Sequence, residues 1–117
     1  MSERLQTPAS QPTVWLWQND NGRQTLSVDW DKEPHWSFGW VDVVLAGLRK
    51  RHKVAKQRDI EGPADERLWH GTVDGTPIDI YLDGGFAIDI TPTDAKDERL
   101  LATLLATLRE TLDAIEN

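Results

Sequence analysis

The run from Arg67 to Pro92, RLWHGTVDGTPIDIYLDGGFAIDITP, places two turn signals inside one block of alternating apolar and polar residues, and that combination restricts the region to an antiparallel sheet. Asp74-Gly75 suits a type I′ hairpin turn, because both loop positions need positive φ and Asp-Gly tolerates it. This turn sets Val73 beside Thr76, Gly71 beside Ile78 and Trp69 beside Ile80. Asp83-Gly84-Gly85 supplies the second turn, where only an odd-length loop lets the apolar residues of both flanking strands share a face. A three-residue loop with Gly85 in the left-handed region predicts Leu82 beside Phe86, Ile80 beside Ile88 and Ile78 beside Ile90. One face, comprising Trp69, Val73, Ile78, Ile80, Leu82, Phe86, Ile88 and Ile90, is then the core. The opposite face carries a row across the strands, His70 beside Asp79 beside Asp89, with Leu68, Tyr81 and Ala87 as its neighbours.

Upstream, Asn21-Gly22 is a second type I′ signal between VWLWQ (Val14 to Gln18) and RQTLSVDW (Arg23 to Trp30). A two-residue loop there directs Trp15 and Trp17 to the core beside Val28 and Leu26. Val14 and Leu16 then point to the other face. Pro34 keeps Asp31 to Trp36 from being helical. Ser37 can cap a helix of about 14 residues in which Trp40, Val41, Val44, Leu45 and Leu48 form one apolar stripe. Val54 to Ile60 is a polar strand suited to a sheet edge. Thr91-Pro92 opens a last helix, with Pro92 at its first position and Leu101, Leu104, Leu105, Leu108, Leu112 and Ile115 in one stripe. The order is ββαββββα. It predicts an α+β fold: a single domain, mostly antiparallel, with a twisted sheet of about five to six strands and two helices on one face. Residues 1–12, with two Pro and one large apolar residue, are expected to be a disordered leader to a domain over 13–117.

Composition narrows the function classes. The 117 residues contain no cysteine, so disulfides, thiolate metal sites and cysteine nucleophiles are absent from the chemistry. A net charge of −7 argues against generic attraction to nucleic acid or anionic membrane, and no apolar run is long enough to span a bilayer. A soluble, cytoplasmic protein is expected. Six Trp against one Tyr and two Phe is an unusual ratio, and Trp concentrates in cores and at interface hot spots.

Chemistry-bearing patterns are few. A His with two carboxylates, His70, Asp79 and Asp89, suggests a general base or a divalent-metal site on the open sheet face, although a second His is missing and adjacent strands splay their ligands. Asp29, Asp31, Glu33 and His35 lack the glycine and closing Glu of a calcium loop. Six of the 13 Lys and Arg fall between Arg49 and Arg58, a basic block for which no nucleic-acid-binding pattern is present. Trp30 and Trp36 flank an acidic loop and could stack on a sugar or anchor in a partner. Neither a phosphate loop nor a nucleophile elbow occurs.

The expectation is therefore a small acidic soluble protein-binding domain: an inhibitor, immunity-like or adaptor protein that offers an acidic, Trp-bearing surface to a protein partner, basic by charge complementarity, or to a second copy. No residue pattern carries a resemblance to a known family. The candidate binding residues are His70, Asp79, Asp89, Tyr81, Trp30, Trp36 and Leu16, and no cofactor is expected. The alternative is a small metal- or ligand-binding enzyme built around His70, Asp79 and Asp89.

Overall fold

Asp74 and Gly75 both adopt positive φ, 53° and 84°, and the hairpin they close has the expected register, with Trp69 opposite Ile80 and Val73 opposite Thr76. Around it a computed structural model of the chain describes residues 13–29, 38–62, 66–82 and 88–113. The elements are β1 (Thr13–Gln18), β2 (Gln24–Asp29), α1 (Phe38–Arg49), β3 (Val54–Glu61), β4 (Arg67–Val73), β5 (Thr76–Leu82), β6 (Ile88–Pro92) and α2 (Arg99–Asp113). The six strands form one sheet in the spatial order β1-β2-β6-β5-β4-β3, and every neighbouring pair is antiparallel. The α+β class and the order ββαββββα are as expected. The leader expected at 1–12 falls outside the described residues, as do Trp30, Trp36, Phe86 and Ala87.

Both helices pack on one side of the sheet and against each other. Val41, Val44, Leu45 and Leu48 of α1 and Leu101, Leu104, Leu108 and Leu112 of α2 are buried against Leu26, Val28, Ile78, Ile80, Ile88 and Ile90. Each fully buried Leu or Ile contributes about 2 kcal/mol by leaving water, well above the few tenths by which most residues differ in helix propensity. Packing therefore decides where these helices lie. They cross closely at Gly47, where an added Cβ would come within 2.8 Å of Thr111 Oγ1. No helix among the described residues is long and apolar enough to cross a membrane.

Three expectations are corrected. The first hairpin does not have a two-residue loop. Gly22 N–H donates to Asn19 O, Asn19 N–H donates to Arg23 O, and Gly22 takes φ 81°, so Asp20, Asn21 and Gly22 form a three-residue loop. The Asn19 carboxamide oxygen accepts from the backbone N–H groups of Asn21 and Arg23 and holds it. One extra loop residue exchanges the faces of β1. Leu16 now pairs with Leu26 and Val14 with Val28 on the core side, while Trp15 and Trp17 lie opposite Ser27 and Thr25 on the other face. Leu16 thus leaves the face on which it was expected to bind.

The second correction concerns β5 and β6. Leu82 pairs with Ile88, Ile80 with Ile90 and Ile78 with Pro92, a slip of two residues that keeps every side chain on its expected face but moves each to a new partner. The third concerns Pro92, which ends β6 and is buried there rather than opening a helix. The turn that follows is a 3-10 segment, Ala95–Asp97, capped by Asp94, whose carboxylate accepts from Lys96 N–H.

Candidate functional site: the helix-free sheet face

Alternation along six strands sends one residue in two away from the helices, and the registers arrange these into rows. The first row is Ile60, Leu68, Tyr81, Asp89, Ser27 and Trp15, running from β3 to β1 across the whole sheet. The second, one step along the strands, is Arg58, His70, Asp79 and Thr91, continued on β2 and β1 by Thr25 and Trp17. Among the described residues no helix covers this face.

The rows separate the candidate site. His70 and Asp79 are directly opposite, and the His70 Nδ1 to Asp79 Oδ1 distance is 2.5 Å. Asp79 Oδ2 also accepts from the Thr93 hydroxyl at 3.4 Å. Asp89 is not beside Asp79: the two-residue slip puts it opposite Tyr81 and Ser27. There it accepts from the Ser27 hydroxyl at 2.6 Å, and Ser27 in turn accepts from the Trp17 indole N–H at 2.8 Å. The three residues therefore belong to two networks. Among the described residues no group of three or more His, Asp and Glu is placed to hold a metal ion.

The Trp17–Ser27–Asp89 chain explains the β1 end of the face. An indole that reaches from β1 to a hydroxyl on β2 must lean over the sheet, and the small Thr25 and Ser27 beneath are buried although they point away from the helices. Trp17 itself is 41 % exposed. At the opposite corner Ile60, Leu68 and Tyr81 are 46 %, 37 % and 36 % exposed, and they are consecutive in the first row. These four are the exposed large hydrophobic side chains of the described residues, and all belong to this face. Tyr81 OH donates to Glu66 at 3.3 Å.

Neither sheet edge invites strand addition. β3 carries exposed Lys56 and Arg58 and a register irregularity between them, both of which discourage pairing. At β1 the Arg109 guanidinium of α2 donates twice to the Val14 carbonyl, at 3.2 and 2.9 Å, occupying one of the edge acceptors.

Much of the remaining charge is committed to holding the fold. Arg67 is almost fully buried and makes two-pronged contacts to Asp59, at 2.9 and 2.7 Å, and to Asp42, at 3.2 and 3.1 Å. The Arg67 hydrogen bonds pull the Asp59 carboxyl below its usual range against the opposing effect of burial, and the two carboxylates raise the guanidinium further. His52 lies between Asp74 Oδ2 and Thr107 Oγ1, each at 2.8 Å, and ties the end of α1 to the β4–β5 turn and α2. Asp74 is held below its usual range by the Lys53 backbone N–H and then by His52. The basic block divides: Arg51 pairs with Glu110, while Arg58 belongs to the open face. A shallow hollow lined by Thr76, Lys96, Asp97, Arg99, Leu100 and Thr103 includes none of the candidate residues.

Trp15, Trp17, Arg58 and Ile60 are residues of this face that the sequence reading did not assign to it. The turn chemistry of Asn19 was the available signal for the two indoles, since an Asn that bonds its own backbone two residues on favours the longer loop. No protein-family model, curated protein or solved structure matches the chain.

Proposed function

We propose that this chain is a cytoplasmic protein-binding domain whose docking surface is the helix-free face of the sheet. The observation that carries the reading is the confinement of the exposed large side chains Trp17, Ile60, Leu68 and Tyr81 to that one face, while the helix-covered face is packed. Ile60, Leu68 and Tyr81 adjoin one another in a contiguous apolar patch, which on a domain surface has a use, and Trp and Tyr are the side chains that anchor interfaces. Asp29, Asp79 and Asp89 add negative charge among the aromatics, which suits a partner with cationic groups, and Arg58 adds one positive charge. The small-ligand alternative gains no support from the geometry, because Asp89 lies in a different network from His70 and Asp79.

A photoreactive benzoylphenylalanine in place of Tyr81, compared with the same group at exposed Ala106 on α2, tests this. Illumination should give protein adducts from position 81 in purified protein or cell extract, and few from position 106. If position 81 couples to no protein, neither another copy nor a different chain, the docking reading is wrong.

A further inference from the structure

Resting on that docking reading, we infer that the occupant of the helix-free face is a second copy of this chain, related to the first by a two-fold axis parallel to the strands and centred between β5 and β6. Such a rotation reverses the strand order across the interface. β1 of one copy then covers β3 of the other, β2 covers β4, and β6 covers β5. Heights along the strands are preserved, so residues in one row meet residues of the same row. In the first row Trp15 lies over Ile60 of the second copy, Ser27 over Leu68, and Asp89 over Tyr81. In the second row Trp17 lies over Arg58, and Thr91 over Asp79.

The match is chemical as well as geometric. The apolar corner at Ile60 and Leu68 meets the indole corner at the far side of the sheet. The one cation of the two rows, Arg58, meets the face of Trp17, the aromatic that binds a guanidinium best. Within these two rows no carboxylate opposes a carboxylate, and Asp89 faces a phenol. Turning the copy about an axis perpendicular to the strands would instead put Trp15 near Trp17 and Arg58 near Ile60, and the cation would lose its aromatic. A uniformly right-twisted sheet turned about its strand direction presents the same saddle to itself, so two copies nest as aligned sheets do.

Size is compatible. Six strands span about 24 Å and strands of this length run roughly 20 Å, a flat footprint of about 500 Å² before side-chain relief is added. A standard interface takes about 800 Å² of accessible surface per partner. Charge sets the salt dependence rather than the occupant: the face carries Asp29, Asp79 and Asp89 against Arg58, so two copies repel at long range while the apolar corners and the Arg58–Trp17 contact hold them together.

The absence of cysteine from the chain makes the test direct. Positions 15 and 60 are five strand spacings apart within one copy, about 24 Å, whereas packed sheets lie about 10 Å apart. A double variant, Trp15→Cys with Ile60→Cys, treated with a bismaleimide matched to the shorter distance should become covalent dimer. Each single variant should remain unlinked. The unsubstituted protein at tens of micromolar should have about twice the 13.3 kDa monomer mass, and Leu68→Glu should return it to monomer. Because each copy carries −7, the dimer should strengthen several-fold from low to high salt, whereas a basic partner would be released. A monomer at every concentration and salt overturns the inference, and adducts from position 81 to a different protein would then leave the docking reading standing. Efficient linking through either single variant overturns the strand-parallel axis.

Discussion

Gly71 shows how closely one residue can be dictated by its neighbours. It stands two positions after Trp69 on the same face of β4, and a Cβ there would come within 2.2 Å of the Ala55 carbonyl oxygen and 2.6 Å of the Trp69 indole. Neither can yield easily, since one is sheet backbone and the other a fully buried ring. Gly71→Ala should therefore destabilise the fold by about 2 to 3 kcal/mol, the usual cost of overpacking, rather than gain from a stiffer strand. Urea unfolding would show the midpoint falling with an unchanged slope. An unaltered midpoint would mean that the indole does not lie over Gly71. The buried Trp69 Nε1 has no hydrogen-bond partner among the described residues.

At the scale of elements, β1 is the informative case. VWLWQ is apolar at four consecutive positions, so alternation alone does not say which pair faces the helices. The three-residue loop and the small hydroxyl residues Thr25 and Ser27 on β2 settle it, because they accommodate two indoles on one side while Leu26 and Val28 continue the core on the other. Leu16→Asp consequently places a carboxylate against the core and should cost about 3 kcal/mol, visible as a loss of cooperative thermal unfolding. Trp15→Asp, on the opposite side of the same strand, should fold and instead weaken association. If Leu16→Asp folds normally and Trp15→Asp does not, the register of β1 is one residue out. The β5–β6 pair carries a gentler lesson: a slip of two preserves both faces, so the core list survived while the partner of Asp79 changed from Asp89 to Thr91.

For the whole molecule, the two depressed carboxylates set the acid limb of stability. Asp59 is lowered by Arg67, and Asp74 by the Lys53 N–H and His52. A carboxyl with a folded pKa below its unfolded value of about 3.9 stabilises the fold fully above that value, and the contribution is lost as pH falls through the folded pKa. Below about pH 4 the unfolded chain binds more protons at these sites, so stability rises with pH in that window. Asp59→Asn should lower the melting temperature at pH 7 and flatten its fall between about pH 4 and pH 2. Melting curves of the two proteins that differ by a constant offset at all pH values would show that the Arg67–Asp59 pair is not the source.

By itself the sequence determined what depends on neighbours along the chain. The Asp74-Gly75 turn, the apolar stripes of α1 and α2, the polar edge strand β3 and the class and order of elements all follow from local φ preferences and periodicity, which act over a few residues. The His70–Asp79 pair was legible for the same reason, because a two-residue turn leaves its register no freedom. What only the tertiary structure decided is how separate segments align. β2 beside β6 joins residues about 60 positions apart, and that pairing, with the loop lengths on either side, sends Asp89 to Ser27 and brings Trp15 and Trp17 onto the same face as Arg58 and Ile60. No local rule reaches that far. The alignment is chosen by burying Leu26, Val28, Ile88 and Ile90 together under the helices, and the helix-free face is the set of residues which that choice turns outward.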